Sequence, residues 1–265
     1  MRKDYIKTEN VKTDEIAFVE DHWTRKWDDL RGMQAGLKKV FHREEYKIMA
    51  CRLRVLSAGA KIFDGGCGLG DWVLALNEQG FRVTGMDVSK KTIKQLRENY
   101  PEADFVSGDI RHTTFPNESF DAYFSWGVFE HFENGPQECI REAYRLLKPG
   151  GMLFISVPFD NIRHSILGIV GRWKGNAETV PQRFYQWRFT RAELAKELQL
   201  AGFNVIDINP IHNRSGILRC LQNEFKLKYD SIVCRAIAYL LAPVFPKCLI
   251  SHMIIATSQK PKVAK

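Results

Sequence analysis

The densest chemical signal in the chain is Asp64-Gly65-Gly66-Cys67-Gly68-Leu69-Gly70, which follows the apolar run Ile62-Phe63 and precedes helix-like residues from Trp72 to Gln79. Glycines let a backbone turn tightly and let a ligand approach with no Cβ in the way. A helix starting just beyond Gly68 offers free N–H groups and partial positive charge to a carboxylate or phosphate. A nicotinamide fingerprint would place glycine at 71, where this chain has Asp71, and the dehydrogenase reading weakens accordingly. Asp87 closes the next apolar run, Thr84-Gly85-Met86-Asp87-Val88, where a carboxylate can accept both hydroxyls of an adenosine ribose. Glycine turn and acid together specify a nucleoside ligand.

The elements that must position these residues alternate regularly after residue 60. Strand-like runs fall near 61–64, 81–86, 103–106, 120–125, 152–157, 203–208 and 252–257. Between them lie helical stretches: 72–79, stopped by Gly80; 90–99, with Ser89 as N-cap and Pro101 beyond; and one opened by Pro136 and running through Leu147. Another is opened by the capping-box spacing Thr190 to Glu193 and stopped by Gly202. Pro149-Gly150-Gly151 reads as a turn. Such alternation implies parallel βαβ units in an open, doubly wound α/β sheet, with ligands beyond the carboxyl ends of the strands. Residues 1–56, 159–189 and 211–250 fall outside the alternation and are candidates for substrate-side lids or for packing contacts.

At this point the chain resembles the class I S-adenosylmethionine-dependent methyltransferases, in the branch acting on small molecules such as quinone precursors and sterols. The likeness runs in order over about residues 60–210. Asp64, Gly66, Gly68 and Gly70 stand at that family's D-x-G-x-G-x-G motif and Asp87 at its ribose acid. Gly108-Asp109-Ile110 stands where an acid and its neighbour contact adenine. Phe120-Asp121-Ala122-Tyr123-Phe124-Ser125-Trp126 resembles the fourth-strand motif, and Leu147-Lys148-Pro149-Gly150-Gly151 the turn before the fifth strand. The resemblance implies a Rossmann-like, seven-stranded sheet with an antiparallel last strand. It implies S-adenosyl-L-methionine as cofactor, S-adenosyl-L-homocysteine as product, and a cofactor site of Asp64, Gly66, Cys67, Gly68, Gly70, Asp87, Val88, Asp109, Ile110, Ser125 and Trp126. Trp126 suits either the methionine part of the cofactor or core packing. The domain reading is an N-terminal helical cap over 1–56, then a methyltransferase domain over 57–265 with insertions at about 159–189 and 211–250.

Methyl transfer to a hydroxyl releases a proton, so a general base near the methyl group would help. His131, in Val128-Phe129-Glu130-His131 after the fourth strand, is the catalytic candidate, although a His after a Glu is also a common structural hydrogen-bond partner. Phe184-Tyr185-Gln186-Trp187-Arg188-Phe189 places aromatics beside a cation. Tyr185, Trp187 and Arg188 are therefore the substrate candidates, for a ring-bearing or phosphorylated acceptor; RNA stacking and a lid packed on the core are the other readings. Trp23-Thr24-Arg25-Lys26-Trp27 is expected to close the cofactor site from the other side.

Composition, 45% hydrophobic and 26% charged, is that of an ordinary globular chain. The net charge of +8 is local: residues 159–265 carry 16 Lys/Arg against 7 Asp/Glu, while 61–158 carry 10 against 14. Such a flank fits an anionic substrate, a lipid surface, RNA, or simply a solvated basic face. The six cysteines form no C-x-x-C pair and no metal spacing, so no metal is expected. Ser125-Trp126-Gly127 is not the Asn-Pro-Pro-aromatic motif of amino-directed nucleic-acid methylation, which disfavours DNA. Residues 217–250 mix apolar groups with Arg219, Lys226, Lys228, Arg235 and Lys247, and could lie in a membrane interface, cover the sheet or form a dimer contact. The start lacks an apolar leader and no run is long enough to span a bilayer, so the expected setting is cytoplasmic, with peripheral membrane contact open. The resulting expectation is methyl transfer to an oxygen of a small or lipid-like metabolite. An RNA-modifying methyltransferase and a non-catalytic cofactor-binding partner protein are the alternatives.

Overall fold

The computed structural model describes residues 1–8, 14–30, 37–169 and 182–262. In chain order the strands are β1 (Arg2–Lys7), β2 (Lys61–Gly65), β3 (Arg82–Asp87), β4 (Asp104–Ser107), β5 (Phe120–Trp126), β6 (Leu147–Pro158), β7 (Gln182–Arg188), β8 (Asn204–Ile211) and β9 (Met253–Gln259). Seven of them form one sheet in the order β4-β3-β2-β5-β6-β9-β8, parallel from β4 to β6, with β9 antiparallel to both its neighbours. The chain reverses its direction of winding between β2 and β5, which opens a crevice beyond their carboxyl ends.

Strand periodicity explains why this sheet is buried on both faces. Ile62, Ala122, Phe124, Met152 and Phe154 point to one side, beneath α2 (Glu44–Leu53), α3 (Asp71–Glu78) and α4 (Lys90–Asn99). The alternate residues Phe63, Tyr123, Leu153, Ile155 and Val157 point to the other, beneath α5 (Gln137–Leu146) and α7 (Arg191–Leu200). Runs that are apolar at every position are what a doubly covered parallel sheet requires. The helix starts follow local chemistry. Ser89 Oγ accepts the Thr92 N–H at the start of α4, and Thr190 with Glu193 forms a complete capping box on α7.

Two local expectations change. Pro149-Gly150-Gly151 is not a separate turn but part of β6, where the register with β5 shifts between Phe120 and Ala122 and Gly150 and Gly151 bond Lys260 of the chain end. The segment expected as a helical cap begins with a strand: β1 pairs antiparallel with β7, Arg2 opposite Arg188. Beyond it lie α1 (Glu15–Leu30) and a 3-10 turn, Leu37–His42; residues 9–13 and 31–36 lie outside the described residues. The 159–189 insertion contributes α6 (Ile162–Ile169) and β7, with 170–181 outside the described residues. The 211–250 insertion is α8 (Asn213–Phe225), α9 (Ile232–Leu241) and α10 (Lys247–Ile250).

Candidate active site

The glycine turn is clamped to β3 by its own backbone. Gly66 and Cys67 both donate N–H to the Met86 carbonyl, at 2.8 and 2.9 Å. Gly66 has φ +94°, and a methyl group there would sit 2.3 Å from the Val128 side chain, so only glycine keeps the turn against the segment after β5. Gly68 donates its N–H to Asp87 Oδ2 at 2.9 Å, and Ser89 N–H binds Oδ1 at the same distance. Burial pushes the Asp87 carboxyl above its usual range, and these N–H groups hold it down in part.

Asp64 lies beside it with no such support. It is 1% exposed, and neither carboxylate oxygen has a hydrogen-bond partner in the protein. Burial and then the charge of Asp87 raise its pKa well above the ordinary value, with Arg43 opposing. A buried carboxylate left unpaired is costly, and a ligand cation next to the turn would relieve it. The α-ammonium of a methionine-derived cofactor is such a cation, so the residues present fit the group that the motif implies.

Beyond the turn lies a cleft, mostly apolar in its lining. Gly66, Asp87, Val88, Asp109 and Ile110 form its floor, Trp126, Gly127 and Val128 one wall, and Ile16, Val19, Trp23 and Trp27 of α1 its roof. Seven of the residues expected to act thus converge: Gly66, Asp87, Val88, Asp109, Ile110, Trp126 and His131. Others serve the site indirectly. Ser125 Oγ donates to the Gly65 carbonyl and ties β5 to the turn, so its hydroxyl is spent. The buried Cys67 side chain packs by Gly85 and Val73, leaving only its backbone at the turn. Gly70 precedes α3 and faces Phe105 and Leu96 rather than the cleft. Trp126 lines the cleft and stacks on Phe124 at 5.4 Å.

His131 ends a single 3-10 turn, Phe129–His131, just after β5. Its Nδ1 lies 2.7 Å from the Tyr185 carbonyl; a carbonyl only accepts, so Nδ1 carries the proton and Nε2 keeps a lone pair. Burial lowers the imidazole pKa to about 4 and keeps it neutral. Glu130 Oε1 is 3.9 Å from Nε2, and burial raises that carboxyl to about 8. A second, smaller pocket shares Val19, Trp23 and His131 with the cleft and continues to His22, Phe184 and Tyr185. Tyr185 therefore borders the histidine, at 5.1 Å between rings. Trp187 and Arg188 are not brought there. Trp187 donates its indole N–H to the Phe132 carbonyl and so holds β7 against the segment after β5, and Arg188 binds Asp4 of β1 at 2.7 Å within the β1–β7 ribbon.

Several residues at the site carry no sequence signal of their own. Arg43, 3.3 Å from Asp71 and stacked on Trp72 at 5.7 Å, is the cation that acts on Asp64 across the turn. Arg111 grips Asp109 through both oxygens, reaches Glu15 of α1 at 2.9 Å and lies over Phe132 at 4.3 Å. Asp109 is thus tied to the roof. Trp27, in the segment expected to close the cofactor site, lies against Gly68 and beside Asp87, stacked on Trp23 at 5.1 Å. Apart from Arg111 to Asp109, the other contacts join residues far apart in sequence, which no local pattern reports. Among the described residues no group of His, Cys, Asp and Glu could hold a metal ion, and no helix is long and apolar enough to cross a membrane.

Residues 63–155 match the family described as "Methyltransferase domain". A probable S-adenosylmethionine-dependent methyltransferase of Mycolicibacterium smegmatis is 29% identical over 67% of this chain; the chain spans 64% of that protein's length. A ubiquinone biosynthesis O-methyltransferase of Vibrio vulnificus is 30% identical over 63% of this chain and 72% of its own length. The fold is similar to that of a Burkholderia thailandensis 1,6-didemethyltoxoflavin-N1-methyltransferase solved with S-adenosylhomocysteine, at TM-score 0.59 and 19% identity over 98% of this chain and 96% of the other.

Proposed function

The chain belongs to the S-adenosylmethionine-dependent methyltransferases, and within that family we propose that it methylates a hydroxyl oxygen of a small or amphiphilic, ring-bearing metabolite. The observation that carries this reading is His131, neutral and oriented, standing between the cofactor cleft and the aromatic pocket at Tyr185. The name of the Vibrio vulnificus relative, an O-methyltransferase of ubiquinone biosynthesis, points the same way.

S-Adenosylmethionine supplies an electrophilic methyl group on a sulfonium. The chain supplies position and proton handling. In this reading Asp87 would accept ribose hydroxyls, Asp64 would balance the ammonium and Arg43 the carboxylate. α1 roofs the cleft with Trp23 and Trp27 and excludes water. His22, Phe184 and Tyr185 form a pocket for a flat acceptor whose hydroxyl reaches His131. Nε2 accepts that proton as attack proceeds, while the Nδ1 bond to Tyr185 holds the ring. An imidazolium formed in a buried site needs a counter-charge, and Glu130 at 3.9 Å provides it once ionised. Turnover should therefore rise with pH toward about 8, where Glu130 loses its proton.

Transfer of labelled methyl from S-adenosylmethionine to catechol, hydroquinone and amine acceptors tests the reading. Hydroxyl acceptors should be methylated, and His131→Ala should lower the rate about 100-fold or more with cofactor affinity unchanged. Transfer to amines alone, or an unaltered rate in the variant, would refute it.

A further inference from the structure

The α8–α9–α10 hairpin has a core of its own, Ile217, Ala238 and Ile250, separate from the two sheet cores. That small core takes very little of α9. The helix reads Ile-Val-Cys-Arg-Ala-Ile-Ala-Tyr-Leu-Leu, with Arg235 its single charge, yet only Cys234 and Ala238, one stripe four residues apart, are buried. Ile232 is 84% exposed, Val233 64%, Leu240 69% and, just beyond the helix, Val244 75%. Residues 225–245 hold nine of the 17 large apolar side chains exposed among the described residues. A helix apolar almost all round is ordinarily buried, and an apolar patch of this extent on a soluble protein marks a binding surface.

The charge pattern says what it meets. Exposed Lys226, Lys228, Arg235 and Lys247 flank the patch, against Asp230 as the one acid between 225 and 250. A second copy of the same face would set like charges against each other, which disfavours self-association. An anionic phospholipid surface complements both the apolar face and the cations. At ten residues α9 is too short to span a bilayer and suited to lie in its interface.

We propose that the outer face of α9, with its flanking lysines, docks the protein on an anionic phospholipid bilayer, Ile232, Val233, Leu240 and Val244 entering the interface. This surface stands whether or not the acceptor is the hydroxyl compound inferred above, and its test does not involve turnover. Full-length protein is sedimented with phosphatidylcholine vesicles and with phosphatidylcholine–phosphatidylglycerol vesicles. Wild type should pellet with the anionic vesicles, less so at high salt, and V233D/L240D should lose at least ten-fold in vesicle affinity. Both sites are exposed, and unchanged calorimetric binding of S-adenosylmethionine by the variant confirms that it is folded. Failure of wild type to pellet, or equal pelleting of the variant, overturns the proposal. So does a wild-type dimer in sedimentation velocity that the variant abolishes, since the face would then belong to a second copy.

Discussion

Asp64 and Asp87 stand on adjacent strands at the glycine turn, both buried, and only Asp87 receives backbone N–H groups. Asp87→Ala should weaken S-adenosylmethionine binding by about 1.5–3 kcal/mol through lost charge-assisted hydrogen bonds. Calorimetry checks this, and unchanged affinity would remove its ribose role. Glu130 and His131 titrate in opposite senses. Glu130 sits at about 8 when folded against an ordinary 4.5, so the folded state holds a proton that the unfolded state releases, and stability falls as pH rises between those values. His131 sits at about 4 against 6.5, so its contribution is lost as pH falls through that window. Glu130→Gln should therefore flatten the alkaline limb of Tm against pH and melt higher than wild type at pH 9. Parallel curves would show that Glu130 does not titrate there.

At the scale of elements, what can be read locally is what local bonds decide. Ser89 and Thr190 cap their helices with their own side chains, and a cap is a contact three residues long. The β1–β7 ribbon joins residues 175 to 186 apart through a polar strand, Arg-Lys-Asp-Tyr-Ile-Lys, whose pattern names no partner. α1 buries no residue and is pinned instead by Glu15 to Arg111 and to the Glu133 N–H, by Thr24 to Ser89 and by Asp28 to Lys91. Where α8 meets α10, Gly216 has no room at all: a methyl group would lie 1.7 Å from the Ile250 carbonyl oxygen. Gly→Ala inside a helix usually stabilises by about 0.5–1 kcal/mol. Gly216→Ala should instead lower Tm by several degrees, and a Tm at or above wild type would mean that α10 moves aside freely.

Across the whole molecule, stability should follow the cores. The central strands β2, β5 and β6 are covered on both faces, whereas α8 and α9 share a three-residue core with one side bare. Hydrogen exchange should therefore protect β2, β5 and β6 most and release the α8–α9 amides first; uniform protection would show the hairpin to be integral to the sheet unit. The sequence alone determined the α/β class, the cofactor and the carboxyl-end location of the site. Strand alternation, capping residues and the Asp64 to Gly70 turn are imposed by local sterics and hydrogen bonding, which a linear pattern records. Only the tertiary structure decided that Arg43 pairs with Asp71, that Arg111 ties Asp109 to α1, that Arg188 is spent on Asp4, and that α9 is bare rather than packed on the sheet. Each of these depends on which distant surfaces meet, and the free energy of such a meeting comes from both partners at once, so neither segment encodes it alone.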